Sequence, residues 1–210
     1  FLETAKRSHN YNQYALILET GLRTGEMIGL TWDAIDFEKR TLTINKILSF
    51  DAVNSIGVLV SENAAQLPHN TVDGSGYEIL KGIWDSRPEQ KKSPTLDKTL
   101  ECIDRRTGVS SKLVMRDLVF VNWRTGETAK NSSYDTHLYK LCDEAGIKHF
   151  CMHALRHTYA ARAIESGLQP KVLQKLLGQA GIKTTMDRYV HVTAESLDYA
   201  IKQFQQNGVV

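Results

Sequence analysis

Two arginines, a histidine and a tyrosine in this chain supply the parts of a phosphodiester-cleaving site. Arg23 stands in Thr20-Gly21-Leu22-Arg23-Thr24-Gly25-Glu26, His153 and Arg156 in His153-Ala154-Leu155-Arg156-His157, and Tyr189 ends Thr184-Thr185-Met186-Asp187-Arg188-Tyr189. A guanidinium grips two phosphate oxygens through its planar fork, and two guanidiniums can cover both non-bridging oxygens as charge grows in a pentacoordinate transition state. The pattern assigns that role to Arg23 and Arg156. His153 and Arg156, three apart on one expected helix, are expected to share a face and one pocket. A neutral imidazole at His153 can accept the nucleophile's proton or donate a hydrogen bond to the phosphate. Tyr189 is the candidate nucleophile, since a phenol with a pKa of about 10 reacts at neutral pH in the field of such cations with a base nearby. This chemistry calls for no metal and no nucleotide cofactor.

Taken singly, each residue has a plainer reading. A lone arginine such as Arg23 is ordinarily a surface ion pair or a cap, and one tyrosine among eight is ordinarily packing. His153 and His157, four apart, also form half a zinc site with Cys142, His149 and Cys151 near in sequence, although Ala154 stands where an H-E-x-x-H motif needs its glutamate. Gly21, Gly25 and Gly29 superficially suggest a phosphate loop, but no Lys-Ser/Thr follows and no strand precedes. Close helix packing is the better account of those glycines.

The elements that must position these residues are those of an ordinary globular chain. The 210 residues are 41% hydrophobic and 24% charged, with a mean hydropathy of -0.33, and read as one domain with a sizeable core. A net charge of +2 and a pI of about 8.4 do not announce nucleic-acid binding, so a DNA-facing surface must be a local patch. Apolar runs fall short of the roughly 20 residues that span a bilayer and no signal peptide opens the chain, so the expected location is cytoplasmic with no membrane partner. Cys102, Cys142 and Cys151 have no C-x-x-C spacing and are expected to be small buried hydrophobes. The chain begins at Phe1 already in helical pattern, from which preceding sequence is expected.

Helical periodicity with caps marks Tyr11 to Gly21, Gly25 to Leu30, Tyr77 to Trp84, Thr95 to Arg106 and a block opening at Ser132 or Ser133 and ending at Gly146. It continues at His153 to Ser166, in a helix opened by Pro170 and closed by Gly178, over Ile182 to Val190, and in a final helix after Thr193. Strands are expected at Thr41 to Ile47 and Leu118 to Val121. The fold class is mainly α with a small antiparallel β-sheet. From Leu48 to Gly76 the periodicity degrades, apart from a short Gly57 to Val60 run.

In combination the motifs resemble a known family. A G-L-R-T-G-E corner, H-x-L-R-H-T-x-A on a helix, and L-L-G-x-x-x-I-x-T-T with Gln179 lying 23 residues after Arg156 are similar to the catalytic domain of tyrosine recombinases, above all the integrases of conjugative transposons. The resemblance covers Phe1 to about Lys46 and Tyr77 to the C-terminus. It implies a bacterial site-specific DNA recombinase, cleaving and rejoining double-stranded DNA through a 3′-phosphotyrosyl link, without cofactor. It further implies residues 1–210 as one catalytic domain whose N-terminal DNA-binding domains are absent, and a homo-oligomer of four protomers on DNA, with a C-terminal helix over 194–206 exchanged between neighbours. Arg23, His153, Arg156, Gln179 and Tyr189 are then the catalytic set, and Lys171, Lys175, Lys183 and Arg188 hold flanking phosphates.

Two departures from the family pattern stand out. Gln179 occupies a position usually filled by histidine or tryptophan; its amide can donate to a phosphate oxygen but carries no charge. The family's lysine general acid, in a context like Pro-Lys-Thr-x-x-Ser-x-Arg-x-Ile-Pro-Leu, is missing, and Lys46 lies in the wrong context to replace it. Back-translated and moved one base forward, Ser61 to Val72 can read Pro-Lys-Thr-Gln-Leu-Ser-Tyr-Arg-Thr-Ile-Pro-Leu. Residues 47–76 are therefore expected to be an anomalous, out-of-frame reading of the catalytic hairpin. The alternative function is a catalytically impaired remnant that binds and aligns DNA without efficient cleavage.

Overall fold

The computed structural model describes residues 1–44, 46–50, 56–60, 70–71, 74–87, 98–103, 110–115, 117–122 and 130–178. The chain divides into two compact units, Phe1–Tyr159 and Ala160–Val210.

The first unit is built on α2 (Tyr11–Thr20), preceded by the short α1 (Leu2–Ala5) and followed by α3 (Thr24–Ile28). Sequence periodicity places one apolar stripe on α2, yet Tyr14, Leu16 and Ile17 are all fully buried and Gln13 and Thr20 nearly so. A helix buried around most of its circumference, with only Glu19 exposed, is a central core element, not a surface one. Gly21 ends it in the left-handed region at φ 68°, where a Cβ would be strained, and its N–H closes on the Ile17 carbonyl at 2.8 Å. The chain then turns directly into α3.

Three short antiparallel strands follow: β1 (Ile35–Asp36) pairs with β2 (Thr41–Leu42), and β2 with β5 (Asn70–Thr71). The single strand expected over Thr41 to Ile47 is thus two. The backbone leaves the β1-β2 ladder after Leu42, Thr43 donates to the Ala34 carbonyl, and β3 (Lys46–Phe50) pairs instead with β4 (Ile56–Val60) in a separate hairpin. β4 contains the Gly57 to Val60 run. Leu48 is fully buried in the same core as α2, so the packed structure continues past the point where periodicity fades.

After α4 (Ser75–Asp85) comes the clearest departure from expectation. The helix predicted over Thr95 to Arg106 is a strand in its described part, β6 (Lys98–Ile103), paired antiparallel with β7 (Ser110–Met115) along all six of its residues. Leu100 and Ile103 fit a helical spacing, but Thr99 and Ile103 are β-branched and a neighbouring strand completes the backbone hydrogen bonds. Tertiary pairing overrides a short helical pattern. Arg87 and Asp117 flank this excursion and tie its ends together: the guanidinium donates to both carboxylate oxygens at 2.6 and 3.3 Å while lying 5.1 Å over the rings of Trp32 and Trp84. The strand expected at Leu118 to Val121 is reduced to one bridge, Leu118 with Thr31, beside a bond from the Val119 N–H to the Leu30 carbonyl.

α5 (Asn131–Ala145) starts one to two residues before the predicted caps, with Lys130 at the N-cap, and stops at Gly146 in the left-handed region. Its inner face meets α2, where the Tyr14 hydroxyl lies 2.8 Å from His137 Nδ1 and 3.4 Å from the Tyr134 carbonyl. The hydroxyl donates to the Tyr134 carbonyl, and the direction of its contact with Nδ1 follows the imidazole tautomer. Burial, with Lys140 adding repulsion, pulls the His137 pKa below its usual 6.5. Because the folded-state pKa is depressed, His137 disfavours folding once protonated: stability is full above about pH 6.5 and falls as the pH drops below it. His137→Gln should flatten that part of the acid limb in urea unfolding measured between pH 7.5 and 5; an unchanged slope would contradict this account.

α6 (Met152–Glu165) begins in the first unit. In the second, α7 (Pro170–Leu176) opens with Pro170 at its first turn and is followed by Gly178 at φ 58°, as its caps predict. Leu173 and Leu177 are buried. The helices expected over Ile182 to Val190 and after Thr193 lie outside the described residues. Among the described residues, no helix is long and apolar enough to cross a membrane.

Candidate active site

The α2–α3 corner sets the first arginine. Arg23 is the N-cap of α3 in an extended conformation, and Glu26, three residues on, reaches back to it. The Glu26 carboxylate accepts the Arg23 backbone N–H through Oε2 at 2.7 Å and the guanidinium through Oε1 at 2.6 Å. This satisfies an orphan N–H of the helix start while restraining the arginine side chain. Arg23 remains 39% exposed along its side chain, open to a ligand, whereas Glu26 is 4% exposed.

The second arginine approaches from α6. Along that helix Met152, Leu155, Arg156 and Ala160 are buried, so Arg156 belongs to the inward stripe. Its guanidinium donates 2.6 Å to the carbonyl of Gly21 and lies 3.6 Å from Glu26 Oε2. One buried carboxylate therefore serves two guanidiniums that come from distant parts of the sequence. Charge compensation explains how Arg156 tolerates 3% side-chain exposure. Glu26 is the residue that sequence reasoning missed. The signal was present, since a carboxylate three residues after a helix start is the acidic half of a capping box.

His153 lies on α6, three residues before Arg156. It is exposed while Arg156 is buried. Three residues advance a helix by 300°, and this offset is enough to put one at the rim and the other in the core. The His153 ring meets His157 edge-on, with centroids 4.4 Å apart. Cys151 is exposed, contrary to its expected burial, while Cys142 is buried. His149 is engaged elsewhere, stacked on Tyr139 and bonded to Asp143 at 2.7 Å. Among the described residues no three histidine, cysteine or acidic side chains gather as a metal site.

The glycines of the corner also differ from expectation. Gly21 is a helix cap, and Gly25 faces the backbone of strand β3, not another helix. In the second unit, Lys171 and Lys175 are both exposed on α7, one turn apart and opposite the buried Leu173 and Leu177. Gln179, Lys183, Arg188 and Tyr189 lie outside the described residues.

Removing the negative charge of the cluster has a signed consequence. Glu26→Gln strengthens binding of an anionic ligand electrostatically but releases Arg23 and Arg156 from their common anchor. Affinity for a phosphodiester ligand should hold or rise while any turnover of it falls about a hundredfold, the scale of small misplacements of binding groups. Parallel loss of both would show that Glu26 maintains the fold without orienting the arginines.

Residues 1–196 match the model of the phage integrase family. The transposase of transposon Tn916 from Enterococcus faecalis is 29% identical over 207 residues, which is 95% of this chain and 46% of that protein. A XerC-like tyrosine recombinase from Caldanaerobacter subterraneus is 27% identical over 190 residues, or 90% of this chain and 47% of that protein. The chain thus spans about half the length of the curated relatives it matches. Among solved structures, the Tn1549 transposon integrase in complex with a circular intermediate DNA superposes with a TM-score of 0.73 at 20% identity, covering 97% of this chain and 62% of that one. XerA recombinase superposes with a TM-score of 0.60 at 20% identity, covering 97% and 59%. At that level of identity these two likenesses speak to the fold, which is that of a tyrosine recombinase catalytic domain.

Proposed function

The chain belongs to the phage integrase family, and on that premise we propose that it is the catalytic domain of a site-specific DNA recombinase that moves a mobile element into or out of DNA. The observation that carries the reading is the sharing of buried Glu26 by Arg23 and Arg156. Two restrained guanidiniums suit the two non-bridging oxygens of a phosphodiester.

In the proposed reaction the Tyr189 oxygen attacks the scissile phosphorus, the bond to the 5′-oxygen breaks, and a 3′-phosphotyrosyl link forms as the 5′-hydroxyl leaves with a proton. A hydroxyl of a second duplex then attacks the phosphotyrosine and returns the phenol. Each step exchanges one phosphodiester for another, so no cofactor is consumed. Arg23 and Arg156 offset the growing charge, exposed His153 exchanges a proton, and Gln179 donates an uncharged hydrogen bond. Lys171 and Lys175, with Lys183 and Arg188, hold flanking phosphates. The partner is double-stranded DNA in the bacterial cytoplasm, on which four protomers assemble.

The leaving 5′-oxygen needs a proton, and the expected lysine motif is absent from the written sequence. General acid catalysis is worth roughly 10²–10⁴-fold, so the chain as written cleaves slowly. The nucleotide sequence tests the out-of-frame reading: codons for Ser61 to Val72 that do not spell the lysine motif one base forward would dismiss it. The function itself is tested with a duplex nicked beside the cleavage site, which should trap a denaturant-resistant protein–DNA adduct. DNA that is bound over long incubation yet never linked would overturn the assignment.

A further inference from the structure

We propose that Gly25 is a positioning residue for the arginine cluster, acting through the seat it offers to strand β3. A Cβ at Gly25 would stand 2.6 Å from the Leu48 carbonyl oxygen and 3.0 Å from Ile47 Cγ2. The first of these is backbone and cannot swing aside. Leu48 is fully buried, so β3 is anchored in the core and retreats only by disturbing it. In contrast, a Cβ at Gly82, inside α4, would meet nothing within 4 Å.

The consequence lies in the length of α3. Five residues make fewer than two turns, too short to hold a helix by its own hydrogen bonds, so its placement comes from what packs on it. Met27 and Ile28 enter the core, Glu26 takes the two arginines, and Gly25 receives β3. Arg23 is the N-cap of the same short helix, two residues from the seat. Displacing the first turn of α3 against β3 therefore moves Arg23 and Glu26 relative to Arg156.

This inference rests on the reading of Arg23 and Arg156 as phosphate ligands, and its test uses inorganic phosphate so that DNA cleavage is not required. Phosphate is titrated against the Arg23 Nε–H resonance of the full chain. Gly25→Ala should weaken phosphate roughly tenfold, the loss of about one charge-assisted hydrogen bond. Gly146→Ala is the control for mere destabilisation: its φ of 65° strains an alanine far from α3 in sequence, with nothing within 4 Å of the new Cβ, and its phosphate affinity should equal the parent's. Parent-like affinity in Gly25→Ala, or an equal loss in Gly146→Ala, overturns the proposal. Where Gly25→Ala fails to fold, Ile47→Ala loosens the same seat without a clash and should weaken phosphate roughly threefold; no change there overturns it. A parent chain that ignores phosphate contradicts the arginine reading instead. Gly25 is then judged by amide exchange in β3, which must accelerate in Gly25→Ala and not in Gly146→Ala.

Discussion

Arg156→Ala should lower single-turnover DNA cleavage about a thousandfold and destabilise the fold by about 3 kcal/mol. The two effects have separate physical origins. The side chain is 3% exposed, donates to the Gly21 carbonyl at the end of α2, and faces the Glu26 carboxylate. Its removal leaves the carbonyl without that donor and Glu26 with one guanidinium in place of two, while opening a cavity beside the core. On the proposed role of Arg156, the catalytic loss comes from the phosphate oxygen left without its fork. Arg156→Lys restores the charge but neither the planar geometry nor the full donor set, so it should recover stability more than cleavage. Chemical unfolding and suicide-substrate kinetics on the three proteins check this. A normally stable Arg156→Ala would contradict the role of the Gly21 and Glu26 contacts.

Tyr189→Phe should abolish covalent product while leaving DNA affinity within about twofold of the parent, because it removes one oxygen and no charge. A phenylalanine ring matches the tyrosine body in size and lacks only the atom proposed to attack phosphorus. The contrast with Arg156→Ala is diagnostic. One variant keeps fold and binding and loses a bond-forming atom; the other loses stability and transition-state charge together. If another hydroxyl supplied the nucleophile, Tyr189→Phe would still trap DNA, and Tyr189 would revert to a packing residue.

Legibility from the sequence followed the locality of each interaction. Gly21, Gly146, Gly167 and Pro170 act within one helix turn, and their positions bound α2, α5, α6 and α7 as expected. β6 was misjudged because its conformation depends on pairing with Ser110–Met115, a partner that apolar spacing does not report. The division of Thr41 to Ile47 into two strands follows from partners on different sheets, and is equally invisible locally. At the site, the residue types of Arg23 and Arg156 suggested phosphate chemistry, but Gly21 and Arg156 meet across 135 positions. Only the combined motifs joined the two regions. The role of Glu26 depends on Arg156, 130 positions away, and so is not legible from its local sequence.

The central claim is most directly tested by the chemistry of the trapped adduct. The parent chain is reacted with a nicked suicide duplex, digested, and the DNA-linked peptide sequenced by mass spectrometry, with the polarity of the linkage read from which DNA end remains attached. The account predicts a single linked peptide modified on Tyr189, joined to a 3′-phosphate with a free 5′-hydroxyl on the released strand. Linkage to any other residue, or to a 5′-phosphate, would contradict it.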